Sequence, residues 1–183
     1  MKTDHVMIAL LLLCSWLGTA GAQVHRREPL TPAEIDQLRD TAMDPYGRLK
    51  LFTHFARERL VSLQQVRNDP KATDRGQQTH DRLQEFVDIY DELNENIDNF
   101  IERKEDMRRT LKTVIEADNE FQAKLLALKS APDTGPKEAE QYRFLLDNAL
   151  DAVGNGAQDH RQLLVEQEEA AKHHGKGKSQ RNP

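Results

Sequence analysis

Apolar residues recur along most of this chain at alternating spacings of three and four, the period of a helix face packed against other helices. The clearest run is Leu83, Phe86, Tyr90, Leu93, Ile97, Phe100, Lys104, Met107, Leu111, Val114, Asp118, Phe121, Leu125 and Leu128. Only Lys104 and Asp118 interrupt it, so twelve of these fourteen positions are apolar. This is a coiled-coil-like seam. Between 77 and 131 there is neither glycine nor proline. The pattern therefore predicts one long central helix from about 74 to 129, roughly 84 Å from end to end. Lys104 and Asp118 allow a bend, whereas the lack of turn residues disfavours a hairpin.

Other elements flank this spine. Thr31-Pro32-Ala33-Glu34 has the form of a capping box with proline at the first helical position. It opens a short helix running to about 43. Asp44-Pro45 opens a second helix to about 67, with Leu49, Phe52, Ala56, Leu60 and Leu63 as its stripe and Leu51 and Phe55 widening it. Asn68-Asp69-Pro70 ends it. A last long helix runs from about 136 to 172 on Tyr142, Leu145, Leu146, Ala149, Leu150, Val153, Ala157, His160 and Leu164. Gly154 and Gly156 predict a kink or break within it. Positions 173–183 hold no apolar side chain, so a disordered basic tail is expected there. No segment alternates with period two. The expected fold is all-α: an elongated antiparallel bundle of three long helices plus a short N-terminal one, occupying 31–172 after a linker at 23–30.

The first 22 residues read differently. A short polar start with Lys2 precedes an apolar run over 6–17, and Ala20-Gly21-Ala22 closes it as a small-x-small cleavage site. This is the pattern of a secretory signal peptide cut before Gln23, giving an exported, periplasmic or secreted protein. Cys14 follows Leu13 inside the apolar run, away from any lipidation position. Removing the signal removes the chain's single cysteine, and with it disulfides, thiol nucleophiles and iron–sulfur ligation. Such a protein must be held by packing.

Charged residues make up 31% of the chain, for a net −5. They are segregated. Segment 45–67 is net +4, 81–102 is net −7, 103–129 is net +2 and 137–171 is net −5. Short connections then place the basic second helix beside the acidic start of the central helix, and the acidic last helix beside its basic second half. Such pairs specify partners more than they stabilise.

Candidate chemistry is thin. Asp81, Glu85, Asp88, Glu92, Glu95 and Glu102 form an acidic stripe, best read as a solvated face complementing the second helix. His25, His54, His80, His160, His173 and His174 show none of the spacings of helical metal sites. His160, on an apolar stripe, is expected to be partly buried and hydrogen-bonded. Lys104 and Asp118 are the best candidates for acid–base work inside a helical enzyme, or else form a polar layer that sets register. No phosphate loop or nucleophile motif is present. Catalytic, cofactor and metal sites are thus all expected to be absent. Protein is the expected partner, not nucleic acid, and no stable membrane insertion is expected after signal cleavage. Leu30-Thr31-Pro32-Ala33-Glu34 resembles the Leu-Thr-x-x-Gln motif of periplasmic stress chaperones over five residues. Glu34 replaces the glutamine, a second copy is missing, and the capping box explains the same residues. The sequence reading is an interaction or scaffold module of the bacterial cell envelope. A chaperone-like binder is second, and a helical enzyme or metal carrier third.

Overall fold

The computed structural model describes residues 28–131 and 135–179, with side chains through 173. The expected signal peptide, the Ala22–Gln23 cleavage site and positions 180–183 lie outside the described residues. The described chain is all-α. Its five helices are α1 (Pro32–Arg39), α2 (Pro45–Asn68), α3 (Arg75–Glu102), α4 (Arg108–Lys129) and α5 (Pro136–Ser179). None of the described helices is long and apolar enough to cross a membrane.

Local signals explain most boundaries. The Thr31 hydroxyl accepts from the Glu34 amide at 3.3 Å, and the Glu34 carboxylate accepts from the Thr31 amide at 2.7 Å, so the capping box forms. α1 ends at Arg39 rather than near 43, because 40–43 tighten into a turn with the Thr41 hydroxyl on the Leu38 carbonyl. After α2, the Asp69 carboxylate accepts from the Lys71 amide, and Pro70 prevents continuation.

α2 packs against α3 and α4, and α5 packs against the same two. Arg59 beside Glu85 and Arg48 beside Asn96 set α2 and α3 antiparallel. Lys129 beside Asp147 and Lys112 beside Glu168 do the same for α4 and α5. Basic segments therefore lie against acidic ones, as the charge pattern predicts. Apolar stripes from α2, α3, α4 and α5 close a single core, with Phe52, Leu83, Phe86, Tyr90, Met107, Leu111, Phe121 and Leu125 at 0–1% exposure. Burial of this kind, at about 25 cal/mol per Å², supplies most of the fold's stabilisation.

The single central helix does not exist. α3 stops at Glu102, α4 starts at Arg108, and the chain reverses between them. Phe86 therefore faces Phe121 with ring centroids 5.4 Å apart. Four long helices replace the expected three. The reversal is a Schellman turn: the Lys104 amide donates to the Ile101 carbonyl at 2.9 Å and the Glu105 amide to the Phe100 carbonyl at 3.1 Å. Lys104 stands at φ 60°, a position usually held by glycine, at a cost of about 1–2 kcal/mol for an L side chain. Tertiary contacts offset that cost. Met107 is fully buried, and Gln167 of α5 clasps the turn. Its side-chain oxygen accepts from the Met107 amide at 2.7 Å, and its nitrogen donates to the Glu105 carbonyl at 3.0 Å.

Two expectations for the last helix also change. α5 runs without interruption through Gly154 and Gly156 and continues to Ser179, past the expected end at 172. A helix once nucleated extends at little cost per residue, and Gly156 packs against Tyr90.

Candidate functional site

The densest buried polar chemistry lies where α3, α4 and α5 meet. Asp118 of α4 is fully buried. Its Oδ1 accepts from the Tyr90 hydroxyl of α3 at 2.9 Å, and its Oδ2 lies 2.9 Å from His160 Nδ1 of α5. Tyr90 and His160 are 0% and 3% exposed.

Each position follows from its element. Tyr90 and Asp118 are seam residues, and the seam faces inward. Phe86 and Phe121 wall the cluster, with Phe121 edge-on to both Phe86 and Tyr90. On α5, Gly156 lies one turn before His160. A Cβ added there would stand 2.4 Å from the Tyr90 hydroxyl oxygen, so only glycine leaves room for it. Burial first, and then the Asp118 charge, push the Tyr90 pKa far above its ordinary value, with Asp159 and Asp91 adding to the effect. The phenol stays protonated and serves as a fixed donor.

Two peripheral clusters tie the helices further. Glu138 of α5 accepts from Arg67 of α2 at 2.9 Å and from Arg75 of α3 at 3.0 and 2.8 Å. The Arg75 hydrogen bond leads in holding the Glu138 carboxyl below its ordinary pKa; burial opposes it and Arg67 reinforces it. Arg67 also donates to the Tyr142 hydroxyl at 3.3 Å. At the start of the fold, Arg59 grips Glu34 at 2.8 and 2.7 Å and reaches the Pro29 carbonyl at 3.0 Å. Burial raises the Glu34 pKa, but the Arg59 guanidinium and Thr31 outweigh it and the net direction is down.

Of the two polar seam residues, Asp118 lies in the core and Lys104 is exposed at the reversal, so they form no joint site. His160 is buried and hydrogen-bonded, as expected. The acidic stripe is partly consumed by α2 and by its own helix: Glu85 meets Arg59 and Arg82, and Asp88 accepts from Gln84. Arg57 turns the other way, to Glu120 of α4 at 2.9 Å. His54 and His173 are exposed, and His80 lies 3.5 Å from Asp81. His25 falls outside the described residues, and so does the side chain of His174. Among the described residues no group of three His, Cys, Asp or Glu is placed to hold a metal ion. Sequence reasoning missed Tyr90 as a donor, Gly156 as its slot and Gln167 as a clasp. A tyrosine 28 positions before its aspartate partner carries no pairwise signal, and neither does a glutamine on a remote helix.

The fold and its polar layer define an all-α protein whose most buried ionisable groups bind one another across three helices. No family model matches the chain, and no curated protein or solved structure matches it either.

Proposed function

We infer that the chain is an exported, non-catalytic helical interaction module of the bacterial cell envelope, built as an antiparallel bundle. The observation that carries this reading is the fate of its richest chemistry. Asp118 pairs with both Tyr90 and His160 in the buried core, where such a hydrogen-bonded network specifies one arrangement of helices. Arg59, Arg67 and Arg75 likewise join helices. What the fold presents to partners is helical surface, including Phe144 on α5 at 87% exposure. The signal-like segment over 1–22 supports export. Sequencing the N-terminus of natively expressed protein tests export, with Gln23 expected and an intact Met1 on a cytosolic product refuting it. Mass spectrometry of proteins co-purified with the tagged chain tests the module reading. A specific stoichiometric partner is expected, and its loss on Phe144→Ala would place the contact on α5.

One observation favours the chaperone-like reading as second. Between the C-terminal ends of α2 and α4 lies a groove of about 200 Å³, floored by Leu60, Leu63, Leu125 and Leu128 and edged by Gln64 and Lys124. A groove that holds unfolded apolar segments would suppress aggregation of a test protein. A pure scaffold would not.

A further inference from the structure

The reversal between α3 and α4 has one usual turn former, Asp106, whose Oδ1 accepts from the Arg108 amide at 3.2 Å. Arg103, Lys104, Glu105 and Asp106 include no glycine, proline or asparagine, and arginine, lysine and glutamate are good helix formers. Lys104 is held at φ 60°, in the left-handed region that lysine rarely adopts. The apolar seam nevertheless keeps its phase across the turn. Phe100 and Met107, one heptad apart, are 2% and 0% exposed. If 103–107 took helical dihedrals, with Lys104 leaving the left-handed region, α3 and α4 would join into one helix spanning 75–129, roughly 80 Å long.

In that straightened chain α2 and α3 can no longer reach α4 and α5 of the same molecule. A second copy offers the identical surfaces. We propose that this protein forms a domain-swapped dimer in which α3 and α4 fuse and each copy's α2–α3 pair packs on the other copy's α4–α5 pair. Tyr90 with Asp118, Arg57 with Glu120, and Arg75 with Glu138 then form between copies, with their partners unchanged. The two states differ chiefly at the hinge. The closed monomer keeps the Gln167 clasp on Met107 and Glu105 and bears the left-handed Lys104. The swapped dimer loses the clasp, gains continuous helical hydrogen bonds and releases Lys104. Short strained hinges favour such exchange, and concentration drives it.

Refolding the full chain from denaturant over a concentration series, with light scattering on a sizing column, tests this. A dimer fraction should rise with the concentration during refolding. It should persist after dilution until the protein is warmed enough to unfold. Lys104→Gly relieves the closed turn and weakens the fused helix, so dimer yield should fall by roughly tenfold. Gln167→Ala removes the clasp and should raise the yield severalfold. Circular dichroism checks that both variants keep the parent helix content, and the two should move the yield in opposite directions. A chain that refolds only to monomer at every concentration overturns the proposal. So does a dimer whose yield neither variant moves, or one that dissociates at once on dilution, since both describe an ordinary surface contact.

Discussion

Lys104 and Asp118 occupy equivalent positions in one apolar seam, two heptads apart, and the fold treats them oppositely. Asp118 sits in mid-helix at 0% exposure, while Lys104 marks the point where the helix ends and the chain turns into solvent. Both are charged residues at positions that want apolar ones, so the periodicity alone ranks them alike. The difference lies in what the neighbouring helices bring. Asp118 meets a hydroxyl from α3 and a ring nitrogen from α5, enough to satisfy its carboxyl group out of water. At Lys104 the turn instead leaves the ammonium in water and buries Met107 three residues later. A polar residue in a seam is thus a buried layer where other helices supply partners, and a break where they do not.

The sharpest test of this contrast is Asp118→Ala, which strands Tyr90 and His160 in the core. It should cost about 3–5 kcal/mol in chemical denaturation, whereas Lys104→Ala should stay within roughly 0.5 kcal/mol. Comparable costs at the two positions would dissolve the distinction. Next in size is the slot beneath Tyr90. Gly156→Ala forces a methyl against the phenol and should destabilise by about 1–3 kcal/mol. Gly154→Ala, with open space around its Cβ, should stabilise by about 0.5–1 kcal/mol. If both glycines behaved alike in thermal unfolding, the slot would have no packing role. Removing only the Tyr90 hydroxyl, with Tyr90→Phe, should cost about 1–2 kcal/mol, because Asp118 keeps His160. At the turn the sign reverses: Lys104→Gly should stabilise the monomer by about 1 kcal/mol, and a loss of stability would mean that the lysine contributes more than its dihedral costs.

The pH-dependent effects belong to the ion pairs, from the largely buried Glu34–Arg59 to the exposed Asp106–Arg108. Glu34, Glu138, Asp106 and Glu168 all have carboxyl pKa values below their ordinary 4.5 or 3.8, with Asp106 brought down to about 2 chiefly by its Arg108 hydrogen bond. A carboxylate whose folded pKa is depressed leaves the unfolded chain binding more protons in that interval. Its stabilisation is present above the ordinary value and is lost as pH falls through the folded one. Stability should therefore decline gradually from about pH 4.5 toward pH 2, more shallowly at high salt because these pairs are partly exposed. Reversing Arg59 to Glu should weaken the fold more than reversing Arg57, since Arg59 joins Glu34 and Glu85 with all three side chains 12–13% exposed, while Arg57 meets part-exposed Glu120 and lies over the Phe121 ring. Denaturation at two salt concentrations would rank them.

The amino-acid sequence by itself determined the helices, their inward faces and the charge logic of their pairing. Those features are local: a capping box spans four residues, a stripe repeats every third or fourth, and net charge accumulates along one segment. Even the buried fate of His160 followed from its place on an apolar stripe. Tertiary structure decided where the central helix breaks, because Arg103, Lys104 and Glu105, ordinary helix formers, join Asp106 in a turn only when burial of Met107 and the Gln167 clasp outweigh the left-handed cost at Lys104. It also decided that Gly156 is a slot rather than a break. The phenol that fills the slot comes from Tyr90, 66 positions earlier in the chain, and no periodicity along one helix reports what another helix will place against it.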